Sequence, residues 1–446
     1  MTSSKTSTKP SKQREQRPEE PVERLPTPMP SLLTEPRRVA NPRRPAAEAG
    51  RTLVHETWGD HAALLARTDT GSGGSVGKVE PRLLDVVSPD APLRLQLGGT
   101  LERVAVAFET YGELNAAADN AVLVCHALTG SAHAAGRNDR EEVPGWWDPL
   151  IGPGKAIDTD RFFVICSNVL GGCYGTTGPS SIDPATGHAY RVSFPRYTIR
   201  DMVAVQKLLV DKLGVRSLRA VIGGSMGGMQ VLEWGATYPE MVRGIVPIAI
   251  GPFHSAWAIG LNEVARRAIT SDPGWHGGDY PLDQQPETGL GLARAIAMLT
   301  YRSFDSYQSK FGRGRPAAQP VDASPAAALG GLGASFEIAG YLRYQGVKLV
   351  KRFDANTYLY LTMAMDDYDL AEGRGSVDAV LKGMDMPALV MGIDSDVLYP
   401  EAEAKALADR LPKARYARIQ SPHGHDAFLI EFPQVAAQLR RFLEAD

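Results

Sequence analysis

The feature that most limits the possible folds is a lone serine between glycines in the stretch Ala220–Gly228. A short apolar run precedes it, and Met229–Trp234 after it has the pattern of a helix. This is G-x-S-x-G between a strand and a helix, the context of a nucleophilic serine on a sharp turn. Because the turn leaves no room for side chains at Gly223 and Gly227, we expect the Ser225 hydroxyl to stand clear of the sheet. With 45 glycines in the chain the motif alone could arise by chance, so the flanking strand and helix carry the prediction.

Composition excludes several classes of protein. Of 446 residues, 43% are hydrophobic and 22% are charged, which is typical of a globular protein with a large core. The net charge of -3 favours neither a nucleic acid nor an anionic membrane as a partner. Cys125, Cys166 and Cys173 cannot all pair and lack zinc-type spacing, so we expect reduced thiols, a cytoplasmic location and no metal. The chain contains no run of 18 apolar residues, so we expect no transmembrane helix.

The N-terminal part differs in composition from the rest. Residues 1–78 are rich in Pro and Arg, and we expect a disordered extension there because such a segment cannot bury enough apolar surface to fold. An Arg-rich targeting peptide is the alternative, which the several glutamates between residues 15 and 23 disfavour.

Strand and helix patterns alternate in residues 79–252 and again in 383–446. Thr198 and Asp201 predict a capping box at a helix start, and Leu101–Glu113 alternates as a half-buried strand does. Continuous apolar runs predict further strands at Ala121–Cys125, Phe162–Cys166, Ala220–Ile222, Val246–Ile250 and Ala388–Met391. The resumed alternation of strand and helix near the C-terminus predicts another strand at Arg415–Ile419. The sequence therefore predicts an α/β fold with a mostly parallel sheet. Residues 253–382, here called the helical insertion, show helical periodicity alone, and we expect them to cover the active edge of the sheet as a lid.

A nucleophilic serine needs a base, and the base needs an acid that orients it. In the order serine, acid, histidine, these partners belong on loops after later strands. Asp394 and Asp396 follow the strand Ala388–Met391, and His423 and His425 follow the next strand. The sequence favours Asp396 and His425 but leaves Asp394 open as the acid.

Acyl transfer also needs donors for the negative oxygen that forms at the attacked carbonyl. The residue after the nucleophile supplies one backbone N–H, which here is Met226. The second should come from the loop His126–Gly130, where we expect the N–H of Leu128. The alternative for Leu128 is a loop leucine that packs beneath the site.

Taken together, the motifs resemble those of the homoserine O-acetyltransferases, a family with the α/β-hydrolase fold. The resemblance begins near Val104 and runs to the C-terminus, leaving out the N-terminal segment and residues 313–334. The matching stretches are Phe108–Leu114, Cys125–Gly130, Gly145–Asp148, Asn168–Gly175, Gly178–Pro179, Gly223–Gln230, Thr300–Arg302, Arg352–Asp354 and Gly424–Leu429.

The resemblance implies roles for particular residues. Ser225, Asp396 and His425 would form the catalytic triad, which selects Asp396 over Asp394. Arg294 would hold the carboxylate of the substrate, and Asp426 its ammonium group. Without the resemblance, Arg294 reads as an exposed helix arginine and Asp426 as a helix N-cap.

The resemblance also implies an activity. Acetyl-CoA would donate its acetyl group, through an acetyl-serine, to the hydroxyl of L-homoserine, giving O-acetyl-L-homoserine for methionine biosynthesis. A cytoplasmic homodimer is expected, with no metal and no bound cofactor because acetyl-CoA is a substrate. The alternatives are a homoserine O-succinyltransferase, an L-serine O-acetyltransferase, a plain serine esterase and a binding protein without activity.

Overall fold

A computed structural model of the chain describes residues 74–138, 144–281, 283–315 and 336–444. The expected N-terminal extension lies outside the described residues up to position 73, and so does most of the segment 313–334. Within the described part, no helix is both long enough and apolar enough to cross a membrane.

A central eight-stranded sheet organises the described residues. Its strands are β1 (Arg82–Val87), β2 (Val104–Tyr111), β3 (Ala121–Cys125), β4 (Phe163–Ser167), β5 (Leu218–Gly224), β6 (Ile245–Ile248), β7 (Ala388–Ile393) and β8 (Ala414–Ile419). Their order in space is β1-β2-β4-β3-β5-β6-β7-β8. Strand β2 pairs antiparallel with β1 and β4, and all other neighbours are parallel.

Helices cover the sheet and fill the helical insertion. The sheet helices are α1 (Ile199–Lys212), α2 (Met226–Thr237), α9 (Glu401–Arg410) and α10 (Phe432–Glu444). The insertion contributes α3 (Ala256–Thr270), α4 (Glu287–Tyr301), α5 (Phe304–Phe311), α6 (Glu337–Val350), α7 (Ala355–Asp366) and α8 (Val377–Gly383). Short 3-10 helices and two-residue ladders complete the described elements, at Arg191–Ser193, Pro273–Gly278 and Gly424–Leu429, and at Leu93–Arg94 with Thr100–Leu101 and Ile151–Gly152 with Ile157–Asp158.

Apolar side chains on both faces of the sheet hold these layers together. Along β3, Leu123 and Cys125 join one core and Val122 and Val124 join the other, as strand alternation requires. The first core includes side chains of α1 and α2, and the second includes side chains of α10. A strand buried on both faces cannot alternate with polar residues, which explains its continuous apolar run.

Some sequence predictions need correction. The alternating run Leu101–Glu113 is two strands rather than one, and β2 is almost wholly buried instead of half-buried. Strand β1 was not predicted, and neither were the short helices α5 and α8. The capping box is confirmed, because the Thr198 side chain accepts the Asp201 N–H and the Asp201 side chain accepts the Thr198 N–H.

Candidate active site

The serine turn has the geometry that its glycines predict. Ser225 has φ 58° and ψ -127°, a strained conformation for a residue with a side chain, and it lies between β5 and α2. A Cβ atom at Gly227 would lie 2.2 Å from the carbonyl oxygen of Cys125, and one at Gly223 would lie 2.8 Å from the same oxygen. The Ser225 N–H donates to Ile248 O at 3.0 Å, which fixes the turn against β6.

The structure joins two of the predicted triad residues directly. His425 Nδ1 lies 2.7 Å from Asp396 Oδ2, and both side chains are buried. The other carboxylate oxygen, Asp396 Oδ1, accepts the N–H groups of Leu398 and Tyr399 at 2.8 and 2.9 Å. Because a carboxylate only accepts, Nδ1 carries the proton, and Nε2 has its lone pair available as a base.

The competing acid and histidine lie elsewhere in the same loops. Asp394 Oδ1 accepts the Ser421 N–H at 3.0 Å, which links the loop after β7 to the loop after β8. His423 is half-buried, with Nδ1 3.4 Å from Ser306 Oγ. Asp394 therefore holds the two loops in register, while Asp396 contacts the histidine.

The serine turn contacts the 3-10 helix Gly424–Leu429, here called the histidine segment because it carries His425. A Cβ atom at Gly224, directly before Ser225, would lie 2.7 Å from the Phe428 ring. That ring packs edge-on against the His425 imidazole, with centroids 5.7 Å apart. Among the described groups, His425 Nε2 is buried and has no hydrogen-bond partner. His425 Nε2 is thus available to accept a proton. The His425 ring packs against Phe428, and Phe428 packs against Gly224 at the end of β5, directly before Ser225.

The electrostatic surroundings of His425 set its pKa. Burial alone would lower the pKa of the imidazole, but the charge and hydrogen bond of Asp396, together with the charge of Asp426, raise it above 6.5. The Tyr399 and Tyr301 rings also pack on it, at 5.2 and 6.0 Å between centroids.

This raised pKa predicts an acid limb in the pH profile. As the pH falls through that pKa, Nε2 is protonated and no longer accepts the serine proton, so kcat/KM should fall about tenfold per pH unit. Removing the charge in Asp426→Asn should move the midpoint to lower pH, because that charge helps to raise the pKa. Initial rates from pH 5 to 9 measure this, with His423→Gln as the matched control that leaves the midpoint in place. An unmoved midpoint in Asp426→Asn would contradict the assignment.

Both predicted oxyanion donors have backbone N–H groups without a described acceptor. Leu128 lies in a tight turn in which the Gly130 N–H donates to Ala127 O at 2.9 Å, and the Leu128 N–H stays unpaired among the described groups. The Met226 N–H, at the first position of α2, is likewise unpaired there. Only 6% of the surface of Leu128 is exposed. Its side chain therefore packs beneath the site, as the alternative interpretation proposed, while its backbone N–H is unpaired among the described groups.

A histidine that sequence reasoning gave no role fixes this turn. His126 Nε2 accepts the Val169 N–H at 3.2 Å, so Nδ1 carries the proton and donates to Ala127 O at 2.8 Å. Burial lowers the pKa of His126 to about 4, which keeps the ring neutral and both bonds intact. Its position directly after β3, in the predicted oxyanion loop, was the available signal.

The helical insertion contacts the histidine segment closely. Gly424 has φ 67°, and a Cβ there would lie 2.7 Å from the backbone of Arg302 and of Ser303. Ser303 Oγ donates to Pro422 O, and Arg302 Nε forms an ion pair with Asp426 Oδ2 at 3.1 Å. The N-cap alternative for Asp426 is therefore wrong, because the 3-10 helix Gly424–Leu429 has His423 at its N-cap position.

Arg294 is half-buried rather than an exposed helix arginine. Its guanidinium carbon lies 5.3 Å from the centroid of the Tyr301 ring, which in turn packs on His425. Of the two predicted substrate-binding residues, Arg294 therefore reaches His425 only through the Tyr301 ring, and Asp426 directly follows His425 in the chain.

Three features define the α/β-hydrolase class: a mostly parallel sheet, a serine on a strained strand-to-helix turn and a histidine–aspartate pair on later loops. The family model for the alpha/beta hydrolase fold matches residues 120–432. Solved structures agree. Homoserine O-acetyltransferase from Bacillus anthracis aligns with a TM-score of 0.73 at 29% identity, covering 82% of this chain and 98% of that one. Esterase E22 aligns with a TM-score of 0.73 at 31% identity, covering 82% and 100%.

Comparison with sequence relatives assigns the chain to a family within the α/β-hydrolase class. The homoserine O-acetyltransferase of Moorella thermoacetica is 53% identical over 357 residues, which is 79% of this chain and 93% of the relative. That of Carboxydothermus hydrogenoformans is 50% identical over 376 residues, 83% and 97% of the two chains. The chain belongs to the homoserine O-acetyltransferase family.

Proposed function

We propose that this chain transfers the acetyl group of acetyl-CoA to the hydroxyl of L-homoserine through an acetyl-serine at Ser225. The product, O-acetyl-L-homoserine, would serve methionine biosynthesis. The observation that carries the proposal is the buried His425–Asp396 hydrogen bond next to a strained serine turn. The identity to relatives named homoserine O-acetyltransferase supports acetyl as the group transferred and homoserine as the acceptor.

In the first half-reaction, Ser225 Oγ attacks the acetyl carbonyl carbon and gives its proton to His425 Nε2. The N–H groups of Leu128 and Met226 donate to the oxygen that becomes negative, and the N-terminus of α2 adds its favourable dipole. The carbon–sulfur bond then breaks, and His425 returns the proton to the departing sulfur of CoA.

In the second half-reaction, the L-homoserine hydroxyl oxygen attacks the acetyl-serine carbonyl and gives its proton to His425 Nε2. The bond between Ser225 Oγ and the carbonyl carbon breaks, and Oγ takes the proton back. Two half-reactions on one serine predict ping-pong kinetics, seen as parallel lines in initial-rate plots. Intersecting lines, with no acetyl-enzyme detected, would contradict this scheme.

Transfer must compete with hydrolysis, since water is abundant. The helical insertion is bound to the histidine segment at Gly424 and Asp426, and it would exclude water from the acetyl-serine. Arg294 would pair with the acceptor carboxylate, and Asp426 with its ammonium group, which holds the hydroxyl near His425.

Arg294→Ala tests the acceptor site separately from the chemistry. Losing a charge-assisted pair to the carboxylate should raise the KM for homoserine about 10- to 100-fold. The release of CoA in the first half-reaction, measured without acceptor, should stay unchanged. Arg267→Ala is the control, because Arg267 is also a helix arginine of the insertion but is 77% exposed. An unchanged KM in Arg294→Ala would contradict the assignment.

Acyl donor and acceptor are decided by one set of rates. The expected order is acetyl-CoA over succinyl-CoA and L-homoserine over L-serine, measured as kcat/KM with purified full-length chain. A preference for succinyl-CoA would instead indicate a homoserine O-succinyltransferase, and a preference for L-serine would indicate an L-serine O-acetyltransferase.

A plain serine esterase is the second candidate, and the likeness to esterase E22 at 31% identity favours it specifically. An esterase would hydrolyse a simple acetyl ester at a rate indifferent to added homoserine. The transferase should show a rate that rises with homoserine, because acceptor attack would then replace slow hydrolysis.

The remaining features follow from the same proposal. The enzyme would work in the cytoplasm as a homodimer, and it would need neither a metal nor a bound cofactor. Among the described residues, no group of three or more His, Cys, Asp or Glu side chains is arranged to hold a metal ion.

A further inference from the structure

One arginine of the helical insertion reaches the turn that carries the Leu128 N–H. Arg352 lies just after α6, and its Nη1 donates to Thr129 O at 2.8 Å and to Tyr174 OH at 2.5 Å. Thr129 belongs to the turn after β3, and Tyr174 to the glycine-rich loop after β4. Arg352 therefore connects the insertion to both loops.

The contact with Thr129 begins a chain of hydrogen bonds through two peptide groups. In a trans peptide the C=O and the N–H point in opposite directions. The Thr129–Gly130 peptide accepts from Arg352 at its C=O and donates from its N–H to Ala127 O at 2.9 Å. The Ala127–Leu128 peptide accepts at that oxygen, so its own N–H, that of Leu128, points away from the turn.

The dipoles of the two peptide groups, Thr129–Gly130 and Ala127–Leu128, point in the same direction along this series of hydrogen bonds. A guanidinium at the start polarises each peptide so that the next N–H becomes more positive, as in any cooperative hydrogen-bond chain. The last member is the Leu128 N–H, which is unpaired among the described groups. His126 Nδ1 donates to the same Ala127 oxygen at 2.8 Å, and so adds to the orientation but carries no charge.

We propose that Arg352 is a positioning residue that orients and polarises the Leu128 N–H for the oxyanion, and so couples the helical insertion to the oxyanion hole. This inference rests on the proposed acetyl-serine mechanism. Arg352 touches neither substrate nor reacting atoms in this role. Its action is through the two peptide groups, and it is strongest when the insertion is seated on both loops.

The size of the effect follows from the size of an oxyanion contact. Removing one oxyanion donor typically costs about 10²–10³ in kcat. Loss of Arg352 weakens a donor without removing it, and because Arg352 is an exposed residue its charge is partly screened by solvent. We therefore expect about a tenfold loss in the rate constant of acylation.

Acylation is measured alone by mixing full-length chain with acetyl-CoA, without acceptor, and following release of the CoA thiol. Arg352→Gln should slow the burst about tenfold and leave its amplitude near one per active site. Arg352→Lys, which keeps the cation, should recover part of the rate. Lys351→Gln is the control, because it removes an exposed positive charge one residue away. The burst rate constant does not depend on the folded fraction, so partial misfolding cannot imitate the result.

Three results would overturn the inference while leaving acyl transfer intact. They are an Arg352→Gln burst as fast as wild type, an equal slowing in Lys351→Gln, or an Arg352→Lys burst no faster than that of Arg352→Gln. A wild-type chain that gives no burst would instead overturn the acetyl-serine mechanism, and this inference with it.

Discussion

Ser225→Ala should lower kcat by about 10⁴- to 10⁶-fold while the chain stays folded, because no other group replaces the hydroxyl as nucleophile. Alanine takes the same φ of 58° at a cost similar to that of serine, so the turn should survive. The measurement is the steady-state rate with acetyl-CoA and homoserine, together with thermal unfolding of the same preparation.

The matched control is Ser88→Ala, which removes an exposed hydroxyl directly after β1. Its rate and unfolding should equal those of the unchanged chain. Retained activity in Ser225→Ala would show that Ser225 is not the nucleophile, and it would favour a different active site on the same fold.

Asp396→Asn should lower kcat by about 10⁴-fold, with little change in the KM for acetyl-CoA. The structure gives the reason. The N–H groups of Leu398 and Tyr399 both donate to Oδ1, so the asparagine oxygen would occupy that position. The amide nitrogen would then face His425 Nδ1 and donate to it, which forces the ring proton onto Nε2. A protonated Nε2 cannot accept the proton of Ser225.

Asp394→Asn is the control for that prediction, because Asp394 precedes Asp396 by two residues and accepts from the Ser421 N–H instead. We expect a modest loss of stability and a kcat within about tenfold of wild type, since only one partly buried hydrogen bond changes. A larger loss of kcat in Asp394→Asn than in Asp396→Asn would indicate that Asp394, and not Asp396, is the acid that orients His425.

Local patterns predicted the parts of the fold that local chemistry decides. The Thr198–Asp201 capping box and the glycines around Ser225 were readable because each requirement lies within a few residues. Strand β1 was not, because Arg82–Val87 is an edge strand whose pairing with β2 depends on a partner about 20 residues away. The burial of β2 likewise depends on the layers packed on it.

The sequence likewise predicted only part of the candidate site. Its residue types and order were readable, but the contacts between distant segments were not. Arg302 pairs with Asp426 across about 120 residues, and Arg352 reaches Thr129 across more than 220. Both arginines lie in motifs that carry the family resemblance, yet no local pattern says what an arginine will contact.

The acetyl-serine mechanism is tested by locating the acetyl group on the chain. The full-length chain is incubated with acetyl-CoA without acceptor, digested and analysed by mass spectrometry. The acetyl-serine mechanism predicts one acetyl group on the peptide that contains Ser225, which disappears when L-homoserine is added and yields O-acetyl-L-homoserine. An acetyl group on another residue, or none at all in a chain that still makes the product, would contradict it.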